Sequence, residues 1–391
     1  MTSRARRAIA LPASVVALAI AALATQALIA APAKSAAARQ PAGGTSGWRV
    51  DKTISVHDKS VILVSLDAVN AKDAWVAGMV VSKFGSPRGP MLEHWDGTAW
   101  RRVALPAKPA QRLSGHDVVG FVGASSASNV WEFSLKGKYL RLVGGHWAFG
   151  RLPASSTGRT FVESVKVFSR TDVWVFGAKA TGAVSNLRFT PYAAQFNGRR
   201  WTVISVPGKG PLGPVSAINP RDMWAITDGE AFFIGGAPAR ASIVHWNGVA
   251  WHNVTPQPNL PRQTILSGIL ARTNRDVWVG GGTEQSDGSA ERAWHWNGTA
   301  WTSRSPRASA DGQQYLLASL VPAPGGMWAL GQNLGGLSRV WRYSGSWSAP
   351  VRLPWDLFQL AAVPHTDSIW AIGENAAMDN GVIVLHGPAP R

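Results

Sequence analysis

The sequence predicts an all-β fold built from seven copies of a four-stranded antiparallel unit, that is, a seven-bladed β-propeller. Three observations support this prediction. A tryptophan that follows a short polar turn recurs seven times, about every 49 residues, which is a period typical of propeller blades. A second tryptophan follows each of the first six copies, just after a glycine-containing turn. With 391 residues, of which 46% are hydrophobic, the chain can also bury a large core.

The first set of tryptophans is expected on the second strand of each blade. Its members are Trp75, Trp131, Trp174, Trp224, Trp278, Trp328 and Trp370. A tryptophan side chain buries roughly 150–250 Å² and can fill the space between two neighbouring sheets. Because it recurs in blades whose loops differ, we interpret this set as a structural feature of the repeat rather than as ligand contacts.

The second set is expected on the fourth strand of the blades. It comprises Trp100, Trp147, Trp201, Trp251, Trp301 and Trp347. Several of these follow Asn-Gly or Asp-Gly, which favours a tight hairpin in which both turn residues have positive φ. The seventh copy has no such tryptophan, whereas Trp48 stands alone near the other end of the chain. A ring has to cover the edges of its first and last blades, so we predict that an N-terminal strand around Trp48 completes the last blade.

Polar residues also recur at fixed places in the repeat. Aspartates precede four of the second-strand tryptophans, namely Asp73, Asp172, Asp222 and Asp276. We expect them to accept backbone N–H groups and close the turn. Histidines stand on the predicted third strand of three blades, namely His94, His245 and His295. Residues that occur once per blade lie too far apart to share a metal ion or a substrate, so we interpret both groups as structural.

The first 38 residues are predicted to be a signal peptide, with cleavage near residue 33 or 38. A basic segment precedes a long alanine-rich apolar run, and small residues follow it. An uncleaved membrane anchor is the alternative, because the run is long enough to span a bilayer. We expect residues 39–391 to form a single propeller domain that has no membrane span, is monomeric, and is secreted or associated with the cell envelope. The export route stays open.

Charge and composition narrow the choice of function. The chain carries 39 basic against 22 acidic residues, a net charge of +17, which favours anionic partners. It contains no cysteine, so disulfides, thiolate metal sites and cysteine nucleophiles are excluded. The sequence shows no nucleophile elbow, phosphate-binding loop or histidine-rich metal motif. We therefore expect no metal and no cofactor.

Residues 276–306 resemble the kelch repeat. They contain a strand ending in Gly281-Gly282, a variable loop, an aromatic strand, a glycine-containing turn, a tryptophan and a closing proline. The resemblance covers about residues 48–391 and implies a propeller fold. The tryptophan-rich pattern also resembles uncharacterised secreted propellers of actinobacteria. The glycine doublet is clear in one blade only, and the Tyr-Asp of the kelch third strand is replaced by His-Trp-Asn or His-Trp-Asp. The copper-radical galactose oxidase of this family needs a cysteine, so its activity is not implied.

The loops that break the repeat are the expected ligand-binding region. In propellers, ligands commonly bind at the mouth of the central channel, where the loops between blades and those between second and third strands meet. Candidate ligand-binding residues on this loop face are Lys83, Arg88, Arg112, Arg159, Lys179, Arg188, Arg262 and Trp355. They predict contact with an anionic cell-wall polymer or an envelope protein; a solvated basic surface is the alternative. Nucleic acid is not expected, because no basic run alternates with aromatic residues.

Three functions remain open from the sequence. The favoured one is an exported, non-catalytic binding or scaffold propeller; the others are a glycan hydrolase or lyase and a structural partner in an envelope complex. Glycoside hydrolysis needs two carboxylates roughly 5–10 Å apart. The acidic residues outside the repeat are Asp228, Glu230, Glu284, Asp287, Glu291, Glu374 and Asp379. No pair among them is identified as catalytic by sequence alone.

Overall fold

The computed structural model describes residues 47–391 with short gaps. The gaps comprise residues 83–85, 115–116, 118, 154–158, 183–187, 228–240, 255, 262–263, 284–290, 308–314, 334–337, 376–379, 389 and 391. The predicted signal peptide lies outside the described residues.

The described chain forms seven four-stranded antiparallel sheets, which confirms the predicted propeller. Written blade by blade from the central axis outwards, the strands are β2 (Lys59–Asn70), β3 (Asp73–Ser82), β4 (Pro87–Trp95) and β5 (Trp100–Arg102); β6 (Val119–Ser126), β7 (Asn129–Ser134), β8 (Lys138–Val143) and β9 (His146–Arg151); β10 (Thr160–Ser169), β11 (Asp172–Thr181), β12 (Arg188–Phe196) and β13 (Trp201–Ile204); β14 (Leu212–Asn219), β15 (Asp222–Thr227), β16 (Ser242–Trp246) and β17 (Trp251–Asn253); β18 (Thr264–Thr273), β19 (Asp276–Thr283), β20 (Glu291–Trp296) and β21 (Trp301–Ser303); β22 (Leu316–Ala323), β23 (Gly326–Gln332), β24 (Ser338–Tyr343) and β25 (Val351–Arg352); and β26 (Asp356–Ala362), β27 (Ile369–Glu374), β28 (Gly381–His386) and β1 (Trp48–Ile54). One helix among the described residues, α1 (Ala107–Ser114), joins the first blade to the second and packs on β4, β8 and β9.

The innermost strands of neighbouring blades are joined by short side chains that bond to the next backbone. Ser65 Oγ donates to the Gly120 carbonyl at 2.6 Å and accepts the Val122 N–H at 2.7 Å, which links the first blade to the second. Ser319 Oγ accepts the Leu360 N–H at 3.1 Å between the sixth and seventh blades. Backbone groups of these inner strands therefore find hydrogen-bond partners in the next blade, although neighbouring blades are separate sheets.

The N-terminal strand closes the ring, as predicted. β1 pairs antiparallel with β28 from Trp48 opposite His386 to Ile54 opposite Gly381. Trp48 is 1% exposed, and its ring centroid lies 5.8 Å from that of Trp328 in an edge-to-face contact. The last blade thus takes its outer strand from the opposite end of the chain, and a buried tryptophan holds that strand in place.

Polar contacts attach the completed seventh blade to the first. The Gln359 side chain accepts the Leu66 N–H at 2.9 Å and donates to the Leu66 carbonyl at 3.0 Å. Lys52 of β1 donates to the buried Glu93 carboxylate at 2.8 Å and to the Trp100 carbonyl at 2.9 Å. Closure therefore depends on contacts that the N-terminal strand β1 and the inner strand β26 of the seventh blade make with the first blade.

The second-strand tryptophan of each blade packs against the next blade. Trp370 of the seventh blade lies 5.1 Å from Trp95 and 5.0 Å from Trp100 of the first, measured between ring centroids. Trp174 of the third blade lies 5.0 Å from Trp246 of the fourth. In six blades the second-strand tryptophan is at most 3% exposed, and that of the sixth blade is half-buried. The structure thus places these side chains in the interfaces between sheets.

The Asn-Gly and Asp-Gly turns before the fourth strands differ from the predicted two-residue type, whereas both residues of the Gly144-Gly145 turn in the second blade have positive φ. Asn297 Oδ1 accepts the N–H groups of Thr299 and Ala300, each at 2.9 Å, so the side chain closes a four-residue loop. Gly298 has a φ of +98°, whereas the asparagine before it does not have a positive φ. Three other turns have this arrangement, at Asp96, Asn197 and Asn247. The prediction that both residues have positive φ was wrong, because the asparagine or aspartate acts here through its side chain.

The fourth strand of the sixth blade departs from the repeat. Trp347, predicted on this strand, lies before it and forms an isolated bridge with Tyr343, while β25 comprises only Val351 and Arg352. The interruption has a local cause. Ser348 Oγ accepts the N–H of Arg342 at 3.0 Å, and the Pro350 ring has no N–H to continue the ladder.

A glutamate replaces an apolar residue in the second blade. The residue after the second-strand tryptophan is valine or alanine in the other six blades and Glu132 in this one. Glu132 is fully buried between the paired residues Val122 and Leu140, and neither of its carboxyl oxygens has a hydrogen-bond partner among the described residues. Burial raises its pKa to about 8, so this side chain is neutral in the folded protein at neutral pH.

Replacing Trp278 with alanine is expected to lower the free energy of unfolding by about 3–5 kcal/mol. The substitution removes ring contacts to His295 at 4.4 Å and to Tyr343 at 4.5 Å, and it leaves a cavity between the fifth and sixth blades. Chemical denaturation measures the effect. Val249→Ala is the control, because this side chain is 83% exposed and its loss should change stability little. Equal effects of the two substitutions would contradict the packing role.

Glu132→Gln is expected to change how stability depends on pH. The folded pKa of about 8 exceeds the value of 4.5 for an unperturbed group, so the folded protein binds the proton more tightly than the unfolded chain. The free energy of unfolding of the wild type then falls as pH rises through this window, by about 5 kcal/mol from this group alone. The variant should lack that contribution.

The measurement is denaturant unfolding of wild type and variant at several pH values between these two limits. The stability of the variant relative to wild type should rise steadily with pH. Asp367→Asn, a change of the same kind at an exposed side chain, should give no such trend. If the Glu132 variant and the wild type had parallel pH profiles, the buried neutral carboxyl would be excluded.

Candidate functional site

The repeated aspartates and histidines contact each other in the three blades that have both. Asp276 Oδ1 accepts the indole N–H of Trp278 at 3.0 Å and lies 3.0 Å from His295 Nε2. The His295 ring stacks on the Trp278 ring at 4.4 Å. The first blade repeats this unit in full, with Asp73, Trp75 and His94. The aspartates thus bind side chains rather than the expected backbone groups, and they lie at the end of the blade away from the loop face.

The central channel is lined by the innermost strands of all seven blades and has a volume of about 730 Å³. Four charged side chains reach it, namely Asp67, Glu163, Lys166 and Arg272. Burial raises the pKa of Asp67, and the Lys166 ammonium and a hydrogen bond from the Ala124 N–H oppose that shift. Acidic and basic residues thus line the channel in equal number, and Arg272 forms an ion pair with Asp276 at 2.7 Å.

The predicted ligand-binding residues fall into three groups. Lys83 and Arg262 lie outside the described residues. Arg88 at the start of β4 and Arg112 on α1 are exposed at the loop face of the first two blades. The Arg112 guanidinium lies 5.9 Å from the Phe149 ring centroid, a cation–π contact that partly fixes this side chain. The remaining four belong to the third and seventh blades.

Three of the predicted cations come together at the end of the third blade. The antiparallel register places Thr160 opposite Lys179 and Thr181 opposite Arg188, so Arg159, Lys179 and Arg188 share one edge of the sheet. The chain segments meet there because β10 begins where β11 ends. All three side chains are exposed, and none forms an ion pair within the described part of the chain. Arg159 donates to the Gly182 carbonyl at 2.6 Å. We call this group the blade-three patch.

Trp355 lies at the entry to the seventh blade and is half-buried. It packs against the core that the sixth and seventh blades share, beside Leu353 and Leu357. One edge of the indole is therefore held by the core, and the rest of the ring contributes to the surface at the loop face. The next residue, Asp356, begins the inner strand β26.

A pair of carboxyl groups stands beside Trp355. Asp356 of β26 is directly opposite Glu374 of β27, so both side chains lie on the same face of the sheet. Opposed residues of this kind have Cβ atoms about 4.5–5.5 Å apart. Asp356 precedes Phe358, the first channel-lining residue of this blade, by two positions, which places the pair at the mouth of the channel.

The surroundings of this pair favour its neutral forms. Burial and, after it, the negative charge of Asp356 raise the pKa of Glu374 to about 7. Burial also raises the pKa of Asp356, whereas a hydrogen bond from Ser338 Oγ at 3.2 Å lowers it. One carboxylate and one carboxylic acid can therefore coexist here near neutral pH, which is the condition for general acid–base chemistry.

Sequence reasoning identified Glu374 but missed its partner. It grouped Glu374 with Asp228 and Glu230, which lie outside the described residues, as do Glu284, Asp287 and Asp379. Glu291 is fully buried and stands opposite Gly282 in the fifth blade. Asp356 could have been found from the order of the repeat, because it begins the first strand of the seventh blade while Glu374 ends the second.

The described residues contain no cluster of three or more histidine, aspartate or glutamate side chains that could hold a metal ion. Within the same part of the chain no helix is both long and apolar enough to cross a membrane.

No family model matches the sequence, and no curated protein is similar to it at a significant level. Solved structures are similar in fold. YCF48 bound to D1 peptide is 14% identical, with a TM-score of 0.56 over 88% of this chain and 97% of that one. Polysaccharide lyase Uly1 is 9% identical, with a TM-score of 0.53 over 93% and 95%. The GH74 xyloglucanase from Xanthomonas campestris is 13% identical, with a TM-score of 0.52 over 85% of this chain and 55% of its own. The chain thus has the fold of proteins that include both a peptide-bound protein and enzymes of glycans.

Proposed function

We propose that this protein is an exported, non-catalytic binding propeller that holds an anionic polymer of the cell envelope or the extracellular space on its basic loop face. The predicted signal peptide at residues 1–38 and the +17 charge support this proposal. The proposal also includes the resemblance of residues 276–306 to the kelch repeat and the resemblance of the tryptophan-rich pattern to secreted propellers. The propeller, residues 39–391, acts as one monomeric domain.

The blade-three patch is the observation that carries this proposal. Its guanidinium and ammonium groups are exposed and belong to strand ends that meet at one end of the same sheet, so an anion can meet several cationic donors there. The channel beside it is lined by acidic and basic residues in equal number, so the attraction for anions is expected at the sheet ends rather than along the axis. Arg88 and Arg112 extend the same face on the first two blades.

Replacing Arg159, Lys179 and Arg188 together with glutamine is expected to weaken binding to phosphocellulose and to an insoluble bacterial cell-wall fraction by about tenfold. Removing three exposed charges lowers the electrostatic part of the affinity, and that part is screened by salt. The measurement is the retained fraction of the propeller at low and at high salt, with plain cellulose as the neutral matrix.

A matched control lies on the same blade. Arg170, Arg199 and Arg200 are exposed in the turns at the opposite end of the third blade, and replacing them with glutamine changes the net charge equally. That variant should bind as the wild type does. If both triple variants lost equal affinity, binding would depend on net charge and not on the patch; retention that ignores salt would exclude the electrostatic mechanism altogether.

A glycan hydrolase or lyase is the second candidate, and the Asp356–Glu374 pair is the observation that favours it. The two residues are opposed in the ladder, so their carboxyl groups lie on one face of the sheet, which is compatible with the paired carboxylates of glycosidases. Glu374, with its pKa of about 7, would be the general acid, and Asp356 the carboxylate. Trp355 beside them offers an apolar ring face for a sugar.

If this second candidate is correct, the protein should release reducing ends or unsaturated products from a panel of neutral and acidic polysaccharides. Glu374→Gln should lower the rate by about a hundredfold or more, because it removes the proton donor. The wild-type rate should fall as pH rises through about 7, where Glu374 loses its proton. Asp367→Asn, at an exposed carboxyl away from the pair, should leave the rate unchanged. Absence of any product from the whole panel would exclude catalysis on those substrates and leave the binding function.

A further inference from the structure

The interrupted fourth strand of the sixth blade leaves an open cleft at the rim of the propeller. Blade six has two residues in this strand, whereas each other blade has three or more. Trp347 bridges to Tyr343 and the Ser348 N–H bonds to the Arg342 carbonyl at 2.8 Å, so the ladder is interrupted at Ala349 and Pro350 before β25. A cavity of about 1280 Å³ is lined by this segment and by the residues that follow β21 in the fifth blade. The cleft is open to solvent, so an extended chain molecule can reach it from the rim.

The lining of this cleft is one-sided in charge. Arg304 and Arg307 approach it from the fifth blade and Arg339 from the sixth, and among the residues that the structure describes no acidic one lines it. Arg304 and Arg307 are exposed, and neither forms an ion pair among the residues that the structure describes. A guanidinium group can bind a carboxylate, sulfate or phosphate through two parallel hydrogen bonds. The cleft therefore suits a ligand with several anionic groups.

Two of the groups at the cleft are held in fixed positions. Arg339 Nε donates to the Tyr315 hydroxyl at 2.8 Å, and its guanidinium lies 5.4 Å from the Tyr315 ring centroid. Trp347 donates its indole N–H to the Arg304 carbonyl, which ties the irregular segment of blade six to blade five. The cleft is thus anchored on both sides, and a ligand would meet a preformed surface.

The remaining lining residues include aromatic rings and serine hydroxyls, which can contact a sugar. Tyr343 and Trp347 lie with their ring centroids 5.2 Å apart and contribute apolar surface, and serine hydroxyls surround them. Aromatic rings offer apolar faces for the C–H surface of a sugar, and hydroxyls can exchange hydrogen bonds with its OH groups. Four serines contribute here, at 303, 305, 346 and 348.

From these contacts we infer that the cleft between the fifth and sixth blades is a binding site for an anionic oligosaccharide, in which arginines take the acidic groups and the Tyr343–Trp347 pair takes the sugar faces. This site is separate from the loop face, because it lies on the outer rim, and it does not depend on the function proposed for the blade-three patch.

Isothermal titration with trigalacturonate tests the carboxylate form of this ligand, and a sulfated trisaccharide tests the sulfate form. Maltotriose is the neutral probe of the same length. The wild type should bind at least one of the anionic probes saturably and maltotriose at least tenfold more weakly. Replacing Arg304 and Arg307 together with glutamine should weaken that binding at least tenfold, since each charge-assisted contact is lost while side-chain size is kept.

The control is the triple glutamine variant of Arg170, Arg199 and Arg200, which are exposed residues outside both proposed sites; it should bind these short probes as the wild type does. Trp347→Phe should also weaken binding, because it removes the indole N–H bond that holds the cleft together. Absence of saturable binding to both anionic probes would overturn the inference, and so would equal binding of maltotriose. An equal loss in the control variant would show that binding follows net charge and would overturn the rim site.

Discussion

Closure of the ring is the constraint on which the rest of this structure depends. A propeller blade buries both faces only when it has a neighbour on each side, so the first and last blades must meet. Here β1 supplies the outer strand of the seventh blade, and the Gln359 side chain bonds to both backbone groups of Leu66 in the first. Trp370 then packs between Trp95 and Trp100 across the same junction. The central channel and the loop face exist because these contacts complete the circle.

Equivalent positions of the repeat carry similar side chains, and the positions that depart from this pattern indicate features specific to one blade. An aspartate that accepts a tryptophan N–H and lies within hydrogen-bond distance of a histidine ring nitrogen recurs in the first and fifth blades, at the sheet end away from the loops. Glu132 occupies a position that is apolar elsewhere and is buried as a neutral acid in the second blade. The shortened β25 opens the cleft at the rim of the sixth. Each departure concerns a single blade, which is why repetition does not explain it.

Much of the fold could be predicted from local patterns. The seven recurring tryptophans, the glycine-containing turns and the isolated Trp48 were sufficient for blade number, strand order and the closing strand. The site could be predicted only in part. Basic residues on loops were recognisable singly, but a sequence gives no register between strand ends, so the grouping of Arg159 with Lys179 and Arg188 required the sheet. Lys83 and Arg262, from the same prediction, lie outside the described residues.

The sequence alone determined the architecture, because a tryptophan that recurs once per blade indicates the same packing between sheets in seven successive units. Tertiary structure alone decided which polar groups meet. Asp356 and Glu374 are 18 residues apart in the chain and stand opposite each other because β26 and β27 pair antiparallel at their loop ends. Arg304 and Arg339 belong to different blades and line one cleft because β25 is interrupted. Such pairings follow from the arrangement of whole strands, and no local residue pattern specifies them.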